Sequence, residues 1–93
     1  MADLLNDTEI QERTSQLSGW RVEDKQLRCT RKFKDFIAAI AFVNKLVEPS
    51  EAAGHHPDLE ISYNKVTVNL TTHEAGGLTE KDFTLAQEIS TLN

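Results

Sequence analysis

The sequence predicts an α+β domain: a four-stranded antiparallel sheet with three helices on one face, in the order α-β-β-α-β-β-α. Two observations carry this reading. Apolar residues change period along the chain, from the helical spacing to strict alternation and back, twice over. Each alternating stretch also contains a polar pair, Asp24-Lys25 in one and Asn64-Lys65 in the other, suited to a tight hairpin turn. Hairpins pair antiparallel, and the amphipathic segments between them are then free to cover the apolar face of the sheet.

The first helix is expected from Thr8 and Gln11, which read as a capping box, and from Ile10 and Leu17, two turns apart on one face. Gly19 is its stop. From Trp20 the period is two: Trp20 and Val22 alternate with Arg21 and Glu23, and beyond the turn Leu27, Cys29 and Phe33 alternate with Arg28, Thr30 and Lys32. The stretch "KDFIAAIAFVNKLVE" returns to the helical period, with Phe36, Ile40, Val43 and Val47 as its stripe and Ile37, Ala41 and Phe42 widening it. Pro49 cannot donate to the preceding turn, so either the helix kinks there or a new short turn begins and runs through Glu51 to Gly54. In "LEISYNKVTVNLTTH" the alternation resumes: Leu59, Ile61 and Tyr63 share a face that Val66, Val68 and Leu70 continue, while Thr67, Asn69, Thr71 and His73 form the polar face. Thr79 and Asp82 cap a last helix, with Leu78 and Phe83 as its hydrophobic staple and Ala86, Ile89 and Leu92 extending its buried stripe. The second sheet face, with Arg21, Arg28, Thr30, Thr67 and Asn69, is expected to be polar. An uncovered sheet edge in so small a domain is a candidate for pairing with a second subunit.

Composition narrows the function classes. The 93 residues fit one domain, 1–93, with no linker or repeat. The formal net charge of -5 repels phosphate backbones and anionic lipid, so neither direct nucleic-acid binding nor membrane association is expected. One cysteine, Cys29, allows no internal disulfide and no Cys-rich zinc module, which suits a reducing, cytoplasmic compartment. The opening "MADLLNDTEIQER" lacks the basic and apolar regions of a signal peptide, and no stretch approaches the ~20 apolar residues of a membrane span.

The chemistry-bearing residues lie in the second half, where His55, His56 and His73 fall. Imidazole both holds and releases a proton near neutral pH. Adjacent residues in an extended segment point to opposite sides, so His55 and His56 are poor joint metal ligands; a zinc site would need His73, one of the pair and a carboxylate such as Glu74. An acid/base arrangement uses the spacing better. Glu51 lies one turn before His55 and could accept its N–H, Pro57 holds His56 extended, and His73 arrives from the end of the last strand. Spacing alone leaves open a third reading, in which the pair sits in an exposed loop and His73 ends a strand with no shared pocket. Trp20 reads either as core or as a substrate platform.

The pattern Glu51, three residues, His55-His56-Pro57, five residues, Tyr63, nine residues, His73, eight residues, Asp82 resembles the signature of the pterin-4a-carbinolamine dehydratases. "LSGW", "FKDF", "YNKV" and "THEAGGLTEKD" agree with it, so the likeness covers nearly the whole chain from about Leu17 onward. The resemblance implies the same fold, assembled as a homodimer or homotetramer through sheet edges and the long helix. It implies dehydration of 4a-hydroxytetrahydropterin to quinonoid dihydropterin in the recycling of the tetrahydropterin used by aromatic amino acid hydroxylases, with the pterin as substrate and no metal or other cofactor. Carried over by position, His55 and His73 are the acid/base residues and His56 a ring-positioning contact. Glu51 orients His55, Asp82 supports the His73 side, Gly54, Pro57, Thr71, Thr72 and Glu74 line the pterin site, and Trp20 borders it. The animal members suggest an alternative role, a protein-binding module that stabilises a partner's dimer.

Overall fold

The computed structural model describes residues 3–92. Its elements run α1 (Asp7–Ser15), β1 (Trp20–Glu23), β2 (Gln26–Lys32), α2 (Phe36–Lys45), α3 (Val47–Ala53), β3 (Asp58–Ser62), β4 (Lys65–Leu70), a 3-10 turn (His73–Ala75) and α4 (Glu80–Ser90). The four strands form one antiparallel sheet in the order β1-β2-β4-β3. The α+β architecture read from the sequence is the one observed.

The first hairpin turns at Asp24-Lys25, whose φ values of 49° and 61° are the left-handed pair that a two-residue turn of matching twist requires. The second turns one residue earlier than the sequence suggests, at Tyr63-Asn64, with Ser62 and Lys65 as the closing pair. The cause is tertiary. Phe33 N–H donates to the Asn64 carbonyl at 2.7 Å and the Asn64 side-chain amide donates to the Phe33 carbonyl at 2.8 Å, while Lys65 pairs with Lys32 as part of the strand. Tyr63 is therefore an exposed turn residue with φ of 51° and not a member of the apolar face.

Strand alternation sends Leu27, Cys29, Val66, Val68 and Leu70 to the face that the helices cover, where they join Trp20, Ala39, Phe42, Leu46, Leu78, Phe83, Leu85, Ala86 and Ile89 in one core. Burying a Leu or Phe side chain of this kind stabilises the fold by roughly 1.5–3 kcal/mol. Arg31 also lies on this side. Its guanidinium sits 4.9 Å from the centre of the Phe42 ring and donates to the Leu92 carbonyl at 2.7 Å, at the open C-terminal end of α4. The opposite face carries Arg28, Thr30, Glu60 and Thr67, with Arg28 donating to Glu60 at 3.1 Å and the two threonine hydroxyls 3.1 Å apart.

Helix boundaries differ in several places, among them the end of α1, which closes at Gln16 and not at Gly19. The N-terminal box of α1 is Asn6 with Glu9, not Thr8 with Gln11: the same signature two residues earlier, with both reciprocal bonds made. The long helical stretch divides at Leu46, and α3 begins two residues before Pro49, which lies in its first turn, where no backbone donor is required of it. The stripe of α2 that faces the core is Ala39, Phe42 and Leu46; Phe36, Ile37 and Val47 are exposed. On α4 the expected cap is in place and Leu78, Phe83, Ala86 and Ile89 are buried as expected, whereas Leu92 lies past the helix end and is half-buried. Its first residue, Glu80, accepts two bonds from Arg13, at 2.5 and 3.2 Å, which tie α1 to the start of α4. That contact holds the Arg13 guanidinium proton more tightly than usual.

Candidate functional site

Helix α3 ends at Gly54, whose φ of 62° and ψ of 30° place it in the left-handed region. A side chain there would meet nothing within 4 Å, so the demand on this position is backbone conformation and not space. The reversal lets His55 N–H donate to the Ser50 carbonyl at 3.1 Å and Gly54 N–H to the Glu51 carbonyl at 3.2 Å, closing the helix end. From this fixed corner the two histidines part. His55 turns inward and is buried, whereas His56 remains exposed.

His55 Nε2 lies 2.6 Å from Asp82 Oδ1. Asp82, wholly buried, is the third residue of α4. Its other oxygen, Oδ2, accepts the Thr72 hydroxyl at 2.9 Å and the Thr79 N–H at 2.9 Å. The Thr72 and Thr79 hydroxyls are themselves 2.8 Å apart. A buried carboxylate is costly unless hydrogen-bonded, and here donors from three chain segments and the positive end of α4 surround it.

His56 Nε2 reaches back to Glu51 Oε2 on α3, 2.5 Å away. The sequence suggests that Glu51 orients His55 and that Asp82 supports His73; the structure assigns the carboxylates differently. Glu51 partners His56 and Asp82 partners His55, because the left-handed step at Gly54 carries His55 off the solvent side of α3 on which Glu51 stands. His73 opens the 3-10 turn after β4 and is 78% exposed in its side chain, with Nε2 4.0 Å from Asp58 Oδ2 at the start of β3. That distance is a loose ion pair and not a hydrogen bond.

The remaining expected site residues divide into two groups. Glu74 is exposed beside His73, and Pro57 lines a groove of about 210 Å³ with Val43, Leu46, Glu51, His56 and Leu59. Thr71, Thr72 and Trp20 are committed elsewhere. The Thr71 hydroxyl donates to the Lys25 carbonyl at 3.0 Å in the first hairpin turn, Thr72 is buried against Asp82, and the Trp20 indole N–H donates to the Ser90 hydroxyl at 2.8 Å. Trp20 is thus a core residue facing α4. The sequence does not reveal Asp58 near His73, or that Thr79, the expected helix cap, also contacts Thr72. The Thr79-to-Asp82 spacing was the one available signal for the latter. Among the described residues, no group of three or more His, Cys, Asp and Glu side chains is arranged to hold a metal ion, and no helix is long and apolar enough to cross a membrane.

The arrangement offers two imidazoles, each with its own carboxylate, at one chain corner, and a third imidazole in solvent at the neighbouring strand end. Such groups can hold, orient and exchange protons. Comparison with known proteins points the same way. The family model described as Pterin 4 alpha carbinolamine dehydratase matches residues 3–92. A protein of Nostoc sp., provisionally named pterin-4-alpha-carbinolamine dehydratase, is 70% identical over 93 residues, covering all of both chains. One of Cyanothece sp. under the same provisional name is 67% identical over the whole of this chain and 96% of its own. Among solved structures, the "transcriptional coactivator/pterin dehydratase" of Brucella melitensis superposes with a TM-score of 0.89 at 34% identity, over 94% of this chain and 95% of that one. A pterin dehydratase-like protein described as a RuBisCO assembly factor in the alpha-carboxysome shares the fold at a TM-score of 0.61 and 21% identity, over 76% of this chain and 82% of that one.

Proposed function

The chain belongs to the pterin 4 alpha carbinolamine dehydratase family, and from that membership we propose that it dehydrates 4a-hydroxytetrahydropterin to quinonoid dihydropterin and water, as a hydro-lyase that serves tetrahydropterin recycling. The observation that carries the reading is the inward His55 on Asp82 beside the outward His56 on Glu51, with His73 exposed at the adjoining strand end.

The chemistry asks little beyond proton transfer. The C4a–O bond breaks, the lone pair of a neighbouring ring nitrogen forms the new C=N bond, and that system loses an N–H proton while the departing hydroxyl gains one. No electrons change hands with an external reagent. A positioned acid and base typically contribute about 10²- to 10⁴-fold to such steps. His55 and His73 take the two proton-transfer roles, His56 positions the pterin ring, and Gly54, Pro57 and Glu74 border it. The test is the absorbance decay of freshly generated 4a-hydroxytetrahydropterin. The protein accelerates it, and His55→Ala and His73→Ala slow it; no acceleration over buffer, or parent rates in both variants, overturns the reading.

A second reading, a protein-binding role, has one observation in its favour. Phe36 and Ile37 on α2, Val47 on α3, and Leu59 and Ile61 on β3 are large exposed apolar side chains, and the groove between α3 and β3 joins Val47 to Leu59. The Brucella relative is named both coactivator and dehydratase. The occupant we favour for this face is a second copy of the chain, giving a homodimer or homotetramer. Sedimentation of Ile37→Glu and Ile61→Lys as smaller species than the parent protein supports that choice, and unchanged mass in both variants removes it.

A further inference from the structure

The hydrogen bonds around Asp82 have a direction that can be followed atom by atom. Thr79 is the N-cap of α4, and the backbone N–H of Asp82 donates to the Thr79 carbonyl at 3.1 Å. The Thr79 and Thr72 hydroxyls lie 2.8 Å apart, so one of them donates to the other. Thr72 has a single proton, which goes to Asp82 Oδ2 at 2.9 Å, where the Thr79 N–H also arrives, so between the two hydroxyls Thr79 is the donor. Every donor in the set therefore points toward the carboxylate, and Oδ2 is saturated by two of them. The remaining oxygen, Oδ1, meets His55 Nε2 at 2.6 Å, a contact that requires one proton between the two atoms. Asp82 accepts from every other partner around it, so the proton resides on Nε2.

We infer that Thr72 and Thr79 are positioning residues that, through Asp82, fix His55 as the Nε2–H tautomer and so make Nδ1 the ring nitrogen that exchanges protons with the substrate. In the neutral ring Nδ1 carries the lone pair and accepts a proton; in the cation it carries the proton and returns it. The assignment rests on the dehydratase reading for its catalytic meaning. The hydrogen-bond polarity beneath it does not. It also gives Thr72, buried and out of reach of a ligand, a function distinct from lining the pterin site.

Two arms separate these levels. In the resting protein, long-range ¹H–¹⁵N correlation of ring-labelled histidine reads the tautomer of each imidazole at a pH where it is neutral. His55 is expected to show a protonated Nε2 and a bare Nδ1, and Thr72→Val is expected to mix the tautomers while Thr72→Ser, which keeps the hydroxyl, restores one. In turnover, Thr72→Val lowers kcat by roughly 10- to 100-fold, a part of what a positioned acid/base contributes, with KM changed less than about two-fold. Thr79→Ser, which keeps cap and hydroxyl together, stays near the parent rate. A bare Nε2 in the parent protein, or a single unchanged tautomer in Thr72→Val, overturns the inference. The expected tautomers in a protein that does not dehydrate the carbinolamine uphold the polarity and overturn only the functional reading.

Discussion

His55 and Asp82 stand 27 residues apart in sequence and 2.6 Å apart in space, and the contact is the only polar link between the chain corner after α3 and the first turn of α4 among the hydrogen bonds of the described residues. Its two partners are secured from opposite sides, His55 by the helix end at Gly54 and Asp82 by the threonines.

Asp82→Asn is expected to damage both fold and activity. The amide cannot accept with both of its terminal atoms, so either His55 or the Thr72 and Thr79 donors lose a partner in a dry site. A buried polar group left unsatisfied costs about 1–3 kcal/mol, visible as a lower urea midpoint. Turnover of the carbinolamine should fall by roughly 10²-fold or more, since His55 loses its orientation. A variant with parent stability and parent rate would show that the contact has neither role.

Glu51→Gln should behave in the opposite way. Glu51 and His56 are both largely exposed, and a solvent-exposed pair contributes about 0–1 kcal/mol, so the urea midpoint is expected to stay close to the parent value. The effect belongs in substrate binding: KM rises while kcat changes little, as steady-state kinetics would register.

Cys29 is buried in the sheet, and loss of hydration pushes its thiol pKa up, with Arg31 and then Arg21 opposing the shift. The folded state therefore holds the thiol proton more tightly than the unfolded chain does. The resulting stabilisation is complete below the ordinary thiol pKa and declines as pH rises past it toward the raised value. Two measurements follow: alkylation at neutral pH should be slow until denaturant is added, and Cys29→Ser should flatten the loss of stability on the alkaline side.

Arg31→Met keeps the length of the side chain along Phe42 but removes the donor to the Leu92 carbonyl and the cation over the ring. The expected loss is about 1–3 kcal/mol, and Arg31→Lys should recover only part of it, because an ammonium lacks the planar fork that spans ring and helix end. Thermal melts of the two variants beside the parent check both statements.

Features that depend on neighbours in sequence are legible in the order of residues alone. Leu27 and Cys29, Val66, Val68 and Leu70 reveal a strand face because alternation needs no knowledge of what covers it. Thr79 and Asp82 reveal a helix start because the capping box closes within three residues. The misplaced features are those set at a distance. The second turn falls at Tyr63-Asn64 because Phe33, just past the end of β2, holds Asn64. Phe36, Ile37 and Val47 fit a helical stripe yet face outward, since a periodic pattern does not say which of two apolar faces meets the sheet. The site shows the same division. The family pattern marks Glu51, His55, His56 and Asp82 together, but which carboxylate serves which imidazole follows from a left-handed step at Gly54 and from the docking of α4, neither of which spacing encodes.

The Thr79 amide that donates to Asp82 Oδ2 belongs at once to the start of a helix and to the setting of a histidine. Fraying of the first turn of α4 must loosen the carboxylate that His55 leans on, and loss of that carboxylate must free the amide. Protection of this one N–H against hydrogen exchange therefore serves as a gauge of the site in the absence of any ligand, because its opening free energy is that of the histidine's support. A substitution on the far side of α4 that leaves every named side chain in place can still lower that protection, and with it the fraction of molecules ready to bind.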